Sequence, residues 1–180
     1  DWPERHLGLQ PGVEQKLVDA NEMAQLAEKH FDLDLLVKKY PVLSKSVAQN
    51  NTQLSSQTKF SKRIAVAQDE AFHFYYAANL EWLRQQGVEI VSFSPLHDSK
   101  VPENVDALLL GGGFPEVFAE KISANNSMLS SLKQTVESGM PTYAECGGLM
   151  ILAESIKLLS GQSLAMAGVV PGIVEMTKRL

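Results

Sequence analysis

The sequence predicts an α/β fold: three layers, with a mostly parallel sheet carrying helices on both faces, preceded by a short helical segment. Three observations predict it. Strand-like runs at residues 64–67, 88–93 and 105–110 and at Thr142 and Tyr143 alternate with stretches of helical periodicity, the pattern of repeated strand–helix units. The runs at 64–67 and 105–110 lack polar alternation, as strands buried on both faces do. Residues suited to tight turns, namely Asp69, the glycines at 111, 112 and 113, and Cys146, follow the carboxyl ends of such runs, where parallel sheets bind ligands.

Residues 1–12 read as the interior of a longer chain. From Val13, Leu17, Ala20, Ala24, Ala27 and Phe31 recur at i, i+3/i+4 steps and make one helix face. Asp32 can cap a second helix, with Leu33, Leu36, Val37 and Tyr40 as its stripe and Pro41 as its end. Two such faces need a surface to pack on, and left uncovered they would favour a homo-oligomer. Residues 43–62 are polar, aperiodic and rich in Ser, Gln and Asn, the composition of a linker. The division expected is therefore a helical segment at 1–42, a linker at 43–62 and a sheet domain at 63–180.

Within that domain the first strand is residues 64–67. Asp69 follows as a helix cap or loop-shaping residue. A helix with Tyr75, Ala78, Leu80, Trp82 and Leu83 on it should run to Gly87, and the aromatic run from Phe72 to Tyr76 should pack it. Residues 88–93 form the second strand, 94–104 a loop with two prolines, and 105–110 the third strand. A short helix near 117–122 precedes a longer one starting after Asn126 or Ser127, with Met128, Leu129, Leu132 and Val136 inward and Gly139 as its stop. After the strand containing Thr142 and Tyr143, a helix is expected from the elbow at Cys146 to about Leu159. Extended pieces at 164–169 and 173–176 close the chain.

Composition excludes several classes. The 180 residues are 44% apolar and 21% charged, with 16 basic against 21 acidic side chains, net −5, and no basic block; nucleic acid is not an expected partner. No run of about 18 apolar residues and no N-terminal secretory pattern occurs, so the expectation is a cytoplasmic protein without a membrane partner. The single cysteine makes no internal disulfide, and no Cys/His cluster has metal-ligand spacing, so no metal site is expected.

Chemistry concentrates at two places. Cys146 lies at a strand-to-helix junction with small residues, Ala144 and Gly148, two positions before and after it. A nucleophile on so sharp a turn requires this, because larger neighbours would collide. The first helical N–H groups, of Gly147 and Gly148, should face the sulfur, and the positive helix end would favour thiolate. Glu145, adjacent on the strand, should point the other way. Gly111, Gly112 and Gly113 after a buried strand let the backbone approach a ligand and offer N–H groups to a developing negative charge. The run is not a phosphate-binding loop, since Gly-x-x-x-x-Gly-Lys-Ser/Thr is absent from the chain. Each feature alone has an ordinary reading, a core thiol or a tight turn. Together, on neighbouring strands, they point to thiol acyl-transfer chemistry.

The segments from Arg63 to Asp69, Gly111 to Glu116 and Tyr143 to Leu149, in that order, resemble the class I glutamine amidotransferase domain of the cobyrinic acid a,c-diamide synthases. Residues 5–9 resemble the close of that family's ATP-binding domain, and 175–180 a stretch beyond the elbow helix. The resemblance implies a flavodoxin-like amidotransferase domain, glutamine as nitrogen donor and a corrinoid acid as acceptor. It also implies ATP and Mg in a synthetase domain that partners this one, with neither site in this chain. It implies Cys146 as nucleophile, with the N–H groups of Gly112 or Gly113 and of Gly147 holding the oxyanion. The family's catalytic His lies well downstream of the cysteine, whereas His6, His30, His73 and His97 all precede Cys146. The chain is thus expected to be an internal piece that does not complete catalysis by itself. Two alternatives stand beside this reading: a non-catalytic ligand-binding module of the same fold, and a thiol hydrolase or amidotransferase acting on another acid.

Overall fold

The computed structural model describes residues 20–40 and 62–178, which belong to two units. The first holds α1 (Ala20–His30) and α2 (Leu33–Lys39). Asp32 caps α2 as expected, its carboxylate accepting from the Leu35 N–H at 2.9 Å. Neither helix buries a residue, and Phe31, Leu33, Leu36, Val37 and Tyr40 are exposed. The expected helix start at 13–19 and the segment 1–12 lie outside the described residues. So does the linker, except that Lys62 already belongs to the first strand.

In the second unit, β1 (Lys62–Ala67), β3 (Val88–Phe93), β4 (Ala107–Leu110) and β6 (Thr142–Ala144) form a parallel sheet in the order β3-β1-β4-β6. Register fixes what each face carries. Ala65 sits opposite Leu108, and Val66 opposite Leu109. Ala65, Ala67, Leu108 and Leu110 share one core with Ile122 of α4 (Ala119–Ala124), with Met128, Leu129 and Leu132 of α5 (Asn126–Glu137), and with Ile151 of α6 (Gly147–Leu152). Side chains alternate along a strand, so Val66, fully buried, faces the other way. On that side Leu109 shares a groove with Leu80 and Leu83 of α3 (Ala77–Gln85). The sheet is covered on both faces, which is why β1 could be apolar without alternation.

The helix ends follow local chemistry. Asn125 rather than Asn126 caps α5, its side-chain oxygen accepting from Met128 N–H, while its amide donates to the carbonyls of Pro95 and Asp98 and fixes the preceding loop. Beyond α5, Gly139 takes φ +92°, a conformation that costs glycine little.

Two expectations are corrected. The chain does not enter a helix directly after Asp69. The Asp69 carboxylate accepts from the N–H groups of Ala71 and Phe72, turning the backbone into a short strand, β2 (Phe72–Phe74), antiparallel to β5 (Gly112–Gly113). Tyr75 therefore precedes α3 instead of packing within it. The elbow helix, expected to reach about Leu159, stops at Leu152. Residues 153–157 become β7 (Ala153–Lys157), held between β8 (Ser163–Ala165) on one side and β9 (Val170–Glu175) on the other. Pairing with segments up to 18 residues away overrides the helical spacing of Leu152 and Ile156, and Ile156 is fully buried in the strand instead.

Candidate active site

The edge strand β6 delivers the chain to the elbow. The Glu145 N–H still donates to the Leu110 carbonyl at 3.0 Å, extending the β4–β6 ladder by one step. Cys146 then adopts φ +50°, ψ −116°, a conformation that L-residues occupy only when their surroundings impose it, at about 1–3 kcal/mol. Its side chain is exposed.

The surroundings that impose it are backbone. A Cβ on Gly148 would overlap the Leu110 carbonyl, so α6 can start against the end of β4 only because residue 148 has no side chain. A Cβ on Gly147 would lie 2.9 Å from the Pro115 ring and 3.2 Å from the Gly113 nitrogen. One on Gly112 would lie 3.6 Å from the Cys146 Cβ. The structure thus brings Cys146, Gly112, Gly113 and Gly147 side by side, although 33 residues separate Gly113 from Cys146 in the chain. Gly113 in turn lies against the Ala71 carbonyl, which accepts from Phe114 N–H at 3.0 Å.

One donor expected at the sulfur is engaged elsewhere. Gly148 N–H donates to the Glu145 carbonyl at 2.8 Å, closing the turn, and the N–H groups of Leu149 and Met150 share the Cys146 carbonyl at 3.1 Å. Gly147 precedes all three as the first residue of α6.

Glu145 behaves as its position on the strand requires. Its carboxylate accepts from the Tyr143 hydroxyl at 2.9 Å, and this bond raises the Tyr143 phenol above its ordinary pKa. Both side chains line a groove of about 470 Å³ on the α3 side of the sheet, with Phe74, Tyr75, Tyr76 and Trp82.

Asp69 is the loop-shaping residue of the alternatives set out above. Besides the Ala71 and Phe72 N–H groups on one oxygen, its other oxygen accepts from the Ser94 hydroxyl at 2.7 Å and Leu96 N–H at 2.9 Å. The loops after β1 and β3 are thereby tied together.

No described histidine hydrogen-bonds Cys146. His97 Nε2 lies 3.0 Å from a Glu70 carboxylate oxygen. The His73 ring packs edge-on to Phe74, centroids 4.7 Å apart, and near Phe114. His30 ends α1 in the other unit, and His6 lies outside the described residues. Tyr75, which the sequence hides in an aromatic run, proves to touch the glycine turn: its hydroxyl accepts from Gly111 N–H at 2.9 Å.

A family model described as the CobB/CobQ-like glutamine amidotransferase domain matches residues 63–180. The chain belongs to this family. Among curated proteins, the cobyrinate a,c-diamide synthase of Caldanaerobacter subterraneus subsp. tengcongensis is 43% identical over 182 residues, an alignment covering all of this chain and 40% of that protein. The synthase of Listeria innocua is 44% identical over 184 residues, covering 99% of this chain and 39% of its own. The chain spans about two fifths of the length of these relatives. Among the described residues no helix is long and apolar enough to cross a membrane.

As a CobB/CobQ-like amidotransferase domain, the chain carries the family match over the unit that holds the elbow and the glycine turn. The exposed Cys146 thiol and Gly112 lie side by side within the matched residues.

Proposed function

We propose that this chain is the glutaminase part of a cobyrinate a,c-diamide synthase. In this reading the Cys146 thiolate attacks the side-chain amide carbon of glutamine. The carbonyl oxygen becomes an oxyanion held by the N–H groups of Gly112 or Gly113 and of Gly147. Collapse breaks the carbon–nitrogen bond, releases ammonia and leaves a γ-glutamyl thioester on Cys146, which water hydrolyses to glutamate and free thiol. Backbone donors suit this task because they are fixed before charge develops and need no reorganisation.

The departing nitrogen must gain a proton, which in this reading comes from water, since among the described residues no histidine is hydrogen-bonded to Cys146 to relay one. In this reading the described residues supply the nucleophile and the oxyanion donors. Ammonia then passes to the rest of the enzyme, a soluble cytoplasmic synthase in this proposal, where ATP would activate a carboxylate of a corrinoid acid so that its displaced oxygen leaves with phosphate as the amide forms. No group of three or more His, Cys, Asp or Glu among the described residues could hold a metal ion, and the chain lacks a phosphate-loop sequence. ATP and magnesium belong, in this reading, to the synthetase portion that the relatives carry outside the matched region.

The observation that carries the proposal is the left-handed Cys146 placed next to Gly112, since a buried structural thiol needs neither. The test is covalent labelling of Cys146 by a chloroketone analogue of glutamine, read by mass spectrometry. Labelling should outpace that by the analogue one methylene shorter, slow when glutamine is added, and vanish in Cys146→Ser. Equal rates with both analogues and no protection by glutamine would refute it in favour of the binding module.

A further inference from the structure

We infer that Tyr75 is a positioning residue for glutamine cleavage, its hydroxyl clamping the glycine turn to the central strand of the sheet. The inference rests on the function proposed above. The Tyr75 hydroxyl donates to the Ala67 carbonyl at 2.5 Å and accepts from Gly111 N–H at 2.9 Å. Ala67 is the last residue of β1, the strand paired on both sides by β3 and β4. Gly111 immediately precedes Gly112, the residue beside Cys146. One phenol oxygen thus joins a strand paired on both sides to the first residue of the turn.

The ring completes the clamp. It fills the space a side chain at position 111 would occupy, a Cβ there lying 2.5 Å from the Tyr75 ring. β2 and the bend at Tyr75 exist because Asp69 turns the chain back, so the same local structure that the sequence pattern does not reveal brings the phenol to the turn. Burial pushes the phenol up to about 12, so the hydroxyl keeps its proton, and hence its bond to Ala67, through the neutral range. An oxyanion donor is useful only if its position is fixed to a fraction of an ångström, and a three-glycine turn has no side chains with which to fix itself.

The experiment compares two reagents on the full chain. Attack on the glutamine chloroketone develops negative charge on a carbonyl oxygen and draws on the turn. Iodoacetamide alkylates by displacing iodide and draws on the thiolate alone. In Tyr75→Phe, which keeps the ring, the chloroketone rate at Cys146 should fall about tenfold while the iodoacetamide rate stays within about twofold. Gly111→Ala, which drives a methyl into the phenol, should shift the ratio in the same direction. Unchanged chloroketone labelling, or an equal fall with both reagents, would overturn the inference. The wild-type chain tests the underlying function separately: failure to prefer the glutamine analogue over its shorter homologue removes both, whereas a selective wild type whose chloroketone rate is unchanged in Tyr75→Phe removes only the clamp.

Discussion

Replacing Gly148 by Ala sets two effects of opposite sign against each other. Gly148 is helical, and in a helix Ala is favoured over Gly by about 0.8–1.0 kcal/mol. Against this, the new methyl would overlap the Leu110 carbonyl and come within 2.7 Å of the Leu110 Cβ. The obstacle is mainly backbone at the end of a paired strand, so no rotamer change relieves it. Overpacking of this kind costs about 1–3 kcal/mol, and moving the elbow away also weakens the Glu145 N–H bond to Leu110, worth about 1 kcal/mol. The net expectation is a loss of about 1–3 kcal/mol, or a Tm lower by about 2–12 °C in a chain of this size. Thermal unfolding followed by circular dichroism measures it, with the iodoacetamide rate at Cys146 as a second readout of elbow displacement. Gly161→Ala is the control, since that glycine has φ +87° with nothing within 4 Å, leaving only backbone strain of about 1–2 kcal/mol. A Gly148→Ala protein as stable as wild type, or more so, would show that helix propensity governs the position and that the elbow is not wedged against β4.

Asp69→Ala should lower Tm by about 4–12 °C, because four donors on two loops lose their acceptor and each unsatisfied group costs about 1–3 kcal/mol before solvent relieves it; Asp69→Asn, which keeps one oxygen, should fall between that variant and wild type in the same melt. Alkaline titration tests Tyr75. Its pKa in the folded state, about 12, lies above the ordinary value near 10, so its contribution to stability is complete below about pH 10 and is lost as pH rises through about 12. Absorbance of ionised tyrosine should therefore show one phenol titrating late, near pH 12 or together with alkaline unfolding if that comes first, and that late step should be missing in Tyr75→Phe.

Much of the architecture was legible because it rests on local signals. Residues 88–93 and the pair Thr142 and Tyr143 read as strands, Asp32 as a cap and Gly139 as a helix stop, and each is so in the structure. What escaped depends on partners distant in sequence. A three-residue strand and a Gly-Gly pair have no periodicity to detect, so β2 and β5 emerge only from their pairing. Leu152 and Ile156 stand one helical turn apart, and nothing local says that Ile156 will be claimed by strands on both sides. At the site, the adjacency of Cys146 with Gly112, Gly113 and Gly147 follows from parallel topology and was readable. The engagement of Gly148 N–H by Glu145 and the bond from Gly111 to Tyr75 depend on individual hydrogen bonds and were not.

The sheet order also dates the cysteine's conformation. β3, β1 and β4 all precede residue 111, whereas β6 is the edge strand and the last of the four in sequence. During synthesis three strands can align before Cys146 has left the ribosome, and the thiol's backbone is bent only when β6 docks on β4 and Gly148 seats on Leu110. A chain stalled before that step carries an ordinary, relaxed cysteine. On the function proposed above, labelling of Cys146 by the glutamine chloroketone counts finished molecules, so the same residue can serve as an internal gauge of correct folding in a cell extract or a refolding mixture.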